Sequence, residues 1–329
     1  LTVSPHVYDI RERMQLNGRL LEKKVFVETL NEVLAKTLDS NLSLSYFELL
    51  IAMSYTIFSK NRLDYTVIET GFGGRLDATN VISRADKVCV LGQIGLDHTH
   101  VLGDTLEKIA SEKAGIIQPG NHVIALKQTD GVNKVFEDRA AAMDATIEWV
   151  EQSDDYQIAN SGLARAACTY IAGRDGWVFD DSLAKTLLKS VKIPARFEKR
   201  SLKGHLVIID GAHNPQNLSA LAERVLREEK YPATIVFAIG ERKDIRQCLT
   251  ALKPIAKRII ATEYFTDQQD IPVHAYDSNS IVNICEDLGI PVTVKRSPKN
   301  ALQRAVSYPE PIISTGSFYL ASELGTFMS

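Results

Sequence analysis

Two stretches of the chain set acidic residues, glycines and a histidine where chemistry can be done. The first is Glu69-Thr70-Gly71-Phe72-Gly73-Gly74-Arg75-Leu76-Asp77-Ala78-Thr79-Asn80, directly after the run Tyr65-Thr66-Val67-Ile68. That β-branched and aromatic run reads as a strand. A carboxylate at the carboxyl end of a parallel strand stands where open α/β sheets bind ligands, and it suits a hard cation such as Mg²⁺. The glycines let backbone approach a ligand closely. No Lys-Ser/Thr follows them, so this is not a Walker A loop. A strand end with an exposed acid and a tight turn accounts for the same spacing. The second stretch is Ile208-Ile209-Asp210-Gly211-Ala212-His213-Asn214-Pro215, a buried strand, a turn and a helix start with Asn214 as cap and Pro215 at the first helical position. The turn needs the cap and the proline but not Asp210 and His213, which are expected to face the anion-favouring helix N-terminus.

Three shorter constellations accompany these. Gly95-Leu96-Asp97-His98-Thr99-His100 follows a strand over residues 87–91. A histidine there ligates a metal or moves a proton, and imidazole alone points to Mn²⁺ or Zn²⁺ more than to Mg²⁺. Glu112-Lys113-Ala114-Gly115-Ile116 by itself reads as a helix end with an exposed, ion-pairing lysine. Ile193-Pro194-Ala195-Arg196-Phe197-Glu198 offers an arginine that clamps a phosphate or makes an ordinary salt bridge.

The elements that must position these residues are those of an α/β protein. Apolar residues recur at helical spacing over residues 22–38 and 45–60. Strands are expected at residues 65–68, 87–91 and 122–126, a helix at 106–117 stopped by Pro119-Gly120, and an Ala-rich helix at 155–172. Residues 173–194 are mixed. Beyond Gly204 the alternation is regular, with strands at 206–209, 234–239, 258–262, 292–294 and 312–314 and helices at 216–229, 245–252, 278–288 and 298–306. This describes a doubly wound domain of about 130 residues. The expected division is 1–192 and 193–329.

Composition narrows the function classes. The 329 residues carry 38 Lys+Arg against 41 Asp+Glu, a net charge of −3, which argues against binding nucleic acid through bulk charge. The longest apolar runs, such as residues 234–239, are strand-sized and far short of a membrane span. Nothing resembles a signal peptide, and no partner membrane is expected. Cys89, Cys168, Cys248 and Cys285 lack C-x-x-C spacing, so they read as small hydrophobes of a reduced compartment, the cytoplasm by default.

Taken together, these motifs resemble those of the folylpolyglutamate synthase/dihydrofolate synthase family of the Mur ligase superfamily, in the correct order along nearly the whole chain. Ser4-Pro5-His6 with Arg11-Glu12-Arg13 is similar to its T-S-P-H-L…E-R-I, and Ser45-Tyr46-Phe47-Glu48 to its T-F/Y-F-E. Residues 69–80 resemble E-V-G-L-G-G-R-L-D-A-T-N, a long and specific string. Residues 95–99, 102–105 and 112–117 resemble L-D-H-T, L-G-x-T and E-K-A-G-I. Residues 194–198 resemble P-G-R-x-E with Ala195 in place of Gly, residues 210–215 the D-G-A-H-N-P signature, and Thr315-Gly316-Ser317-Phe318-Tyr319-Leu320 the terminal T-G-S-x-Y-L.

The resemblance implies a Mur-ligase-like central P-loop-type parallel-sheet domain, incomplete at its N-terminus, followed by a C-terminal Rossmann-like domain. It implies an ATP-dependent amide ligase that adds L-glutamate to dihydropteroate and/or folylpolyglutamate through an acyl phosphate, with two Mg²⁺ ions and ATP as cosubstrate. Ser4, Glu69, His98 and carbamylated Lys113 are then the metal ligands. Ser45, Tyr46, Phe47, Glu48, Leu76, Asp77 and Ala78 line the pteroate pocket. Asn160, Arg196 and Asp210 hold ATP across an interdomain cleft, and His213 and Lys113 act at the reacting centre. A monomer is expected. The family's G-T-N-G-K-G-S P-loop belongs well before Ser4, and a truncated sequence is the expected reason for its absence. Residues 120–160 are shorter than in the family, and residues 146–156 are expected to hold a deletion or a loop. Val3 stands where the family tends to have Thr. Another Mur-type amino acid ligase, or an inactive fragment that binds pteroate or nucleotide, are the alternatives.

Overall fold

The computed structural model describes residues 1–153, 155–229, 232–266 and 273–328. The chain forms two compact units. One comprises Leu1–Pro5 and Arg13–Val191, the other His6–Glu12 and the chain from Lys192 onward.

In the first unit a hairpin of β1 (Gln15–Leu16) and β2 (Arg19–Leu20) precedes α1 (Lys23–Asp39) and α2 (Tyr46–Lys60). Helix α2 starts at a capping box, in which the Ser45 hydroxyl accepts from the Glu48 N–H and the Glu48 carboxylate accepts from the Ser45 N–H. There follow β3 (Val88–Leu91), α3 (Thr99–Leu102), α4 (Leu106–Ala114), β4 (His122–Leu126), α5 (Asp130–Ala142), β5 (Thr146–Val150), α6 (Tyr156–Asp175) and α7 (Asp181–Ser190). Strands β3, β4 and β5 pair in that order, all parallel. The period of two along β4 divides the core. Val123 and Ala125 pack with Ile109 of α4 and Phe136 of α5, whereas Ile124 and Leu126 pack with Ala159 and Leu163 of α6. Both faces are covered, as a parallel sheet requires.

The structure differs from, or adds to, the expectations for this unit at four places. Residues 65–68 form no ladder strand. Ile68 makes an isolated bridge to Thr2, with the Thr2 N–H donating to the Val67 carbonyl at 2.9 Å and the Glu69 N–H to the Thr2 carbonyl at 3.0 Å. β-Branched residues favour extended backbone, but a strand also needs a long enough neighbour. Residues 146–156 do not begin as a loop. Thr146–Val150 is β5, paired along its length with β4, and Trp149 stacks on Phe136 with centroids 6.5 Å apart. Residues 173–194 contain α7, capped by Asp180, whose carboxylate accepts from the Leu183 N–H at 2.9 Å. The segment His6–Glu12, expected with the first domain, is counted with the second unit. Its turn closes on Glu12, which accepts from the amides of Val7, Tyr8 and Asp9.

The second unit contains β6 (Glu198–Leu202), β7 (His205–Ile209), α8 (Pro215–Glu228), β8 (Ala233–Phe237), α9 (Ile245–Leu252), β9 (Ala256–Ala261) and a hairpin of β10 (Phe265–Thr266) with β11 (Val273–His274). It continues through α10 (Ser278–Asp287), β12 (Val292–Val294), α11 (Pro298–Ala305), β13 (Ile312–Thr315) and α12 (Phe318–Phe327). The sheet order is β12-β9-β8-β13-β7-β6, parallel except for β6, which runs antiparallel to β7. Ile208, Ile235, Phe237 and Ile259 face Leu218, Leu249 and Ile281 of α8, α9 and α10. Val207, Ile209, Val236, Ile260 and Ile312 face Ala301 and Leu302 of α11 and Leu320 and Leu324 of α12.

Strand β13, last in sequence, lies between β7 and β8, so the winding reverses there. Such a switch point opens a crevice at the carboxyl ends of the strands. Among the described residues no helix is long and apolar enough to cross a membrane. None of the four cysteines forms a disulfide, and three of them, Cys89, Cys248 and Cys285, are buried.

The α5 ridge is what closes one face of the β3–β5 sheet. Phe136→Ala should therefore lower the stability of the first unit by about 3–5 kcal/mol, the cost of a large aromatic truncation in a core. Urea unfolding followed by Trp149 fluorescence checks this, and a loss below about 1 kcal/mol would contradict the packing described.

Candidate functional site

In the first unit the site is built where an extended segment, a glycine-rich turn and a helix end meet. Thr2 pairs with residues 67–69, and the Ser4 N–H then donates to Glu69 Oε2 at 2.6 Å. Two of the expected metal ligands, Ser4 and the exposed Glu69, are thus adjacent. Beyond Glu69 the chain passes over α2. A Cβ on Gly71 would lie 2.2 Å from the Phe47 ring, so glycine there lets that ring lie against the backbone.

The next residues dock on the end of α4. Gly74 has φ +158°, and a Cβ there would stand 2.8 Å from the Glu112 carbonyl and 3.0 Å from that of Lys113. The Arg75 N–H donates to the Glu112 carbonyl at 2.8 Å, the Arg75 guanidinium pairs with the Glu112 carboxylate at 3.0 Å, and Asn80 donates to the Gly115 carbonyl at 3.0 Å. The string at 69–80 and the helix end at 112–115 are therefore one structure. Lys113, which reads as an unremarkable exposed lysine by sequence, is half-buried there. Burial pushes its pKa below the ordinary lysine value, and the carboxylates of Asp97 and Asp77 pull the other way.

Asp77, 9% exposed, accepts from the Phe72 N–H at 2.7 Å and from the Thr79 N–H and hydroxyl at 2.9 and 2.6 Å. Its carboxylate fixes the turn that presents Leu76, which is 81% exposed, and the half-buried Ala78. His98 takes a left-handed conformation, φ +52°, at the start of α3. Its N–H donates to Asp97 Oδ1 at 2.8 Å, and its ring meets Phe72 edge-on with centroids 4.9 Å apart. Phe72 thus links His98 to the Asp77 turn. Tyr46 lies under the Arg13 guanidinium, 5.6 Å from the ring centroid, while Ser45 and Glu48 are engaged in capping α2. Asn160 is exposed on α6. Among the described residues no three His, Cys, Asp or Glu side chains gather as a metal site. Ser4 and Glu69 offer oxygen donors, which suit a hard divalent cation, while His98 offers nitrogen.

In the second unit the loops after β7 and β13 interlock at the switch point. The Asp210 N–H donates to the Ser314 carbonyl and the Gly316 N–H to the Ala212 carbonyl, both at 2.9 Å. Asp210 is buried. Its Oδ1 accepts from the Ala212 N–H and its Oδ2 from the Phe197 N–H, both at 2.8 Å. Burial raises its pKa, against those two amides and the nearby Arg196 and Arg224. His213 Nδ1 lies 2.8 Å from the Gly211 carbonyl, which makes Nδ1 the protonated nitrogen when the ring is neutral. Asn214 caps α8 by accepting from the Asn217 N–H at 2.8 Å, with Pro215 in the first turn as expected.

Phe318, the variable position of the terminal motif, is the residue that sequence reasoning missed. Its ring lies against Gly211, where a Cβ would come within 2.4 Å. The Arg196 guanidinium lies over it at 4.6 Å and the His213 ring is 5.7 Å away. The ring thereby groups Arg196, Gly211 and His213. The sequence signal was an aromatic next to Thr315-Gly316-Ser317, too weak to single out. Ala195, at the position where the family uses Gly, takes φ +51°, which explains that preference.

The dihydrofolate synthetase C-terminal domain model matches residues 193–327. A probable bifunctional folylpolyglutamate synthase/dihydropteroate synthase of Halobacterium salinarum is 29% identical over 99% of this chain and 43% of its own length. A folylpolyglutamate synthase of Arabidopsis thaliana is 29% identical over 68% of this chain and 45% of its own length. The chain thus spans less than half of these two relatives. It covers 84% of the Saccharomyces cerevisiae dihydrofolate synthetase, which is 26% identical over 98% of the chain. Among solved structures, a Mycobacterium tuberculosis folylpolyglutamate synthase complexed with ADP superposes with a TM-score of 0.87 at 26% identity, covering all of this chain and 83% of that one. A Yersinia pestis bifunctional folylpolyglutamate synthase/dihydrofolate synthase complexed with AMPPNP and Mn ion shares the fold, with a TM-score of 0.84 at 23% identity over 99% of this chain and 81% of that one. A two-unit α/β architecture, the ordered motifs and relatives that agree in kind point the same way: the chain is similar to the folylpolyglutamate synthase/dihydrofolate synthase family along nearly its whole length, and residues 193–327 match that family's C-terminal domain.

Proposed function

We propose that the protein is an ATP-dependent amide ligase that adds L-glutamate to dihydropteroate, to folylpolyglutamate, or to both. The observation that carries this reading is the docking of residues 71–80 on Glu112–Gly115, which gathers Asp77, Asp97, His98 and the half-buried Lys113 in one unit. A purely structural turn has no use for a desolvated lysine near two carboxylates.

Amide formation from a carboxylate and an amine is uphill in water, so the substrate's carboxylate oxygen first attacks the γ-phosphorus of ATP and ADP leaves. The glutamate amine then attacks the acyl carbon, loses a proton, and phosphate leaves. Ser4, Glu69, His98 and Lys113 as its carbamate hold two Mg²⁺ ions, which supply charge neutralisation for the phosphoryl oxygens. Lys113 needs the carbamate because an ammonium has no lone pair for a cation, whereas a carbamate offers two oxygens. Its lowered pKa supports this, since only the neutral amine adds to CO₂.

Ser45, Tyr46, Phe47, Glu48, Leu76, Asp77 and Ala78 form the pteroate-binding region. Within it, Asp77, Ser45 and Glu48 hold backbone while Leu76 and the two aromatic rings present apolar surface. Arg196, Asn160 and Asp210 serve ATP, and His213 stands at the reacting centre. The protein works as a cytoplasmic monomer on small molecules.

Purified full-length protein given ATP, Mg²⁺ and dihydropteroate or tetrahydrofolate should release ADP only when L-glutamate is added, and a chelator should stop release. Glu69→Gln should lower that turnover by about a thousandfold or more while leaving the thermal transition in place. Turnover retained in Glu69→Gln would remove Glu69 from the metal site.

Carbamylation makes a separate prediction. With ¹³C-labelled CO₂, the protein should show a carbamate carbon resonance that Lys113→Arg lacks. At fixed dissolved CO₂ its intensity should rise with pH as more of the lysine becomes neutral, with a midpoint below the ordinary lysine pKa because burial lowers it. A spectrum identical in the wild type and Lys113→Arg would eliminate the modification.

A further inference from the structure

We propose that Glu198, backed by Tyr8, is a positioning residue that sets the guanidinium of Arg196. The inference rests on the reading of Arg196 as a nucleotide-binding residue and adds the device that aims it.

Arg196 is the middle residue of a tight turn whose two neighbours, Ala195 and Phe197, have φ of +51° and +52°. Two left-handed excursions flanking one residue are costly for non-glycine residues and persist only where the surroundings hold them. The surroundings here are two carboxylates. The Ala195 N–H donates to Glu198 Oε2 at 3.0 Å and the Phe197 N–H to Asp210 Oδ2 at 2.8 Å. The Ala195 carbonyl is taken as well, by the Gly211 N–H at 2.8 Å. The backbone on either side of Arg196 is therefore pinned while its side chain projects over Phe318.

Asp210 is held within the β7–α8 loop, but Glu198 sits on β6, a half-exposed edge strand, and needs anchoring of its own. Tyr8 supplies one anchor by donating its hydroxyl to Glu198 Oε2 at 2.6 Å. Arg200 supplies another, donating Nε to Glu198 Oε1 at 2.7 Å and Nη1 to the Gly325 carbonyl at 2.6 Å, with its guanidinium stacked 4.9 Å from the Tyr8 ring. The oxygen that receives the Tyr8 hydroxyl is the one that holds the Ala195 amide. A rotation of the Glu198 carboxylate after loss of the hydroxyl bond thus releases the turn at Ala195. A glutamate that merely tied the His6–Glu12 segment to β6 would have no reason to share that oxygen with the arginine-bearing turn.

Protons over an aromatic face resonate upfield, so the Arg196 side chain carries a ring-current shift that reports its position over Phe318 without any nucleotide. In the protein labelled with ¹⁵N and ¹³C arginine, Arg196→Lys identifies the resonance and Phe318→Leu gives its unshifted position. Tyr8→Phe, which keeps the ring under Arg200, and Glu198→Gln should each move the resonance at least halfway to that position. An unmoved resonance in Tyr8→Phe, the variant least exposed to misfolding, overturns the proposal. ADP affinity provides the second arm. Glu198→Gln should weaken ADP binding about three- to tenfold, the worth of one hydrogen bond's alignment, and should have no further effect once Arg196→Ala is present. An equal weakening in both backgrounds means that Glu198 acts through general stability and overturns the positioning role. Should Arg196→Ala leave ADP affinity unchanged, the nucleotide reading of Arg196 falls, and the resonance arm still decides whether Glu198 sets the side chain.

Discussion

The candidate site in the first unit depends on two backbones approaching closer than any side chain at the contact would allow. Gly74 lies against the carbonyls of Glu112 and Lys113, and Gly115 lies against Arg75, where a Cβ would fall 2.3 Å from the Arg75 Cβ. The two glycines interlock. The Arg75–Glu112 ion pair at the same place is easier to see, but its side chains are 57% and 28% exposed, and a pair so hydrated contributes about 0–1 kcal/mol. The close approach is the stronger determinant because it permits the backbone bond from Arg75 to Glu112 and the bond from Asn80 to Gly115. Lys113, half-buried, belongs to the helix end on which that contact is made.

What could be read from the sequence tracks what the physics makes local. The strands of the second unit are apolar runs buried on both faces, such as Ala233–Phe237, and they stand out without a partner being known. The D-G-A-H-N-P turn is equally legible, because a cap and a proline act within four residues. Elements that depend on a neighbour were not. Strand β6 reads Glu-Lys-Arg-Ser-Leu and is a strand only because β7 offers an edge. Strand β5 carries Thr and Glu outward and, among the described residues, pairs only with β4. Residues 65–68 fail in the opposite sense, since their propensity is high and their pairing amounts to one bridge.

The same distinction holds for the site. Each motif was visible as a string, and its family resemblance made a role for Lys113 expected, but nothing in the spacing says that residues 71–80 and 112–115 touch. Phe318 was invisible as a site residue because its importance is geometric. It is the surface on which Gly211, Arg196 and His213 converge. The meaning of Asp210 also changes with the structure in view. A carboxylate brought directly to a triphosphate would repel it, whereas the carboxylate seen here is turned inward to the amides of Ala212 and Phe197.

That inward turn assigns the charges in a way that favours an anionic ligand. Asp210 is buried and each of its oxygens accepts from a backbone amide, so its negative charge is partly compensated where it stands. Glu198 spends its charge on Arg200, Tyr8 and the Ala195 amide. Both acids hold the turn that carries Arg196, and neither binds the Arg196 guanidinium through a hydrogen bond. Had either carboxylate formed a bidentate pair with that guanidinium, the cation would be neutralised before any phosphate arrived. By resting Arg196 on a ring instead, the fold keeps a fixed positive charge beside the crevice at the switch point, supported by acids that face away from it.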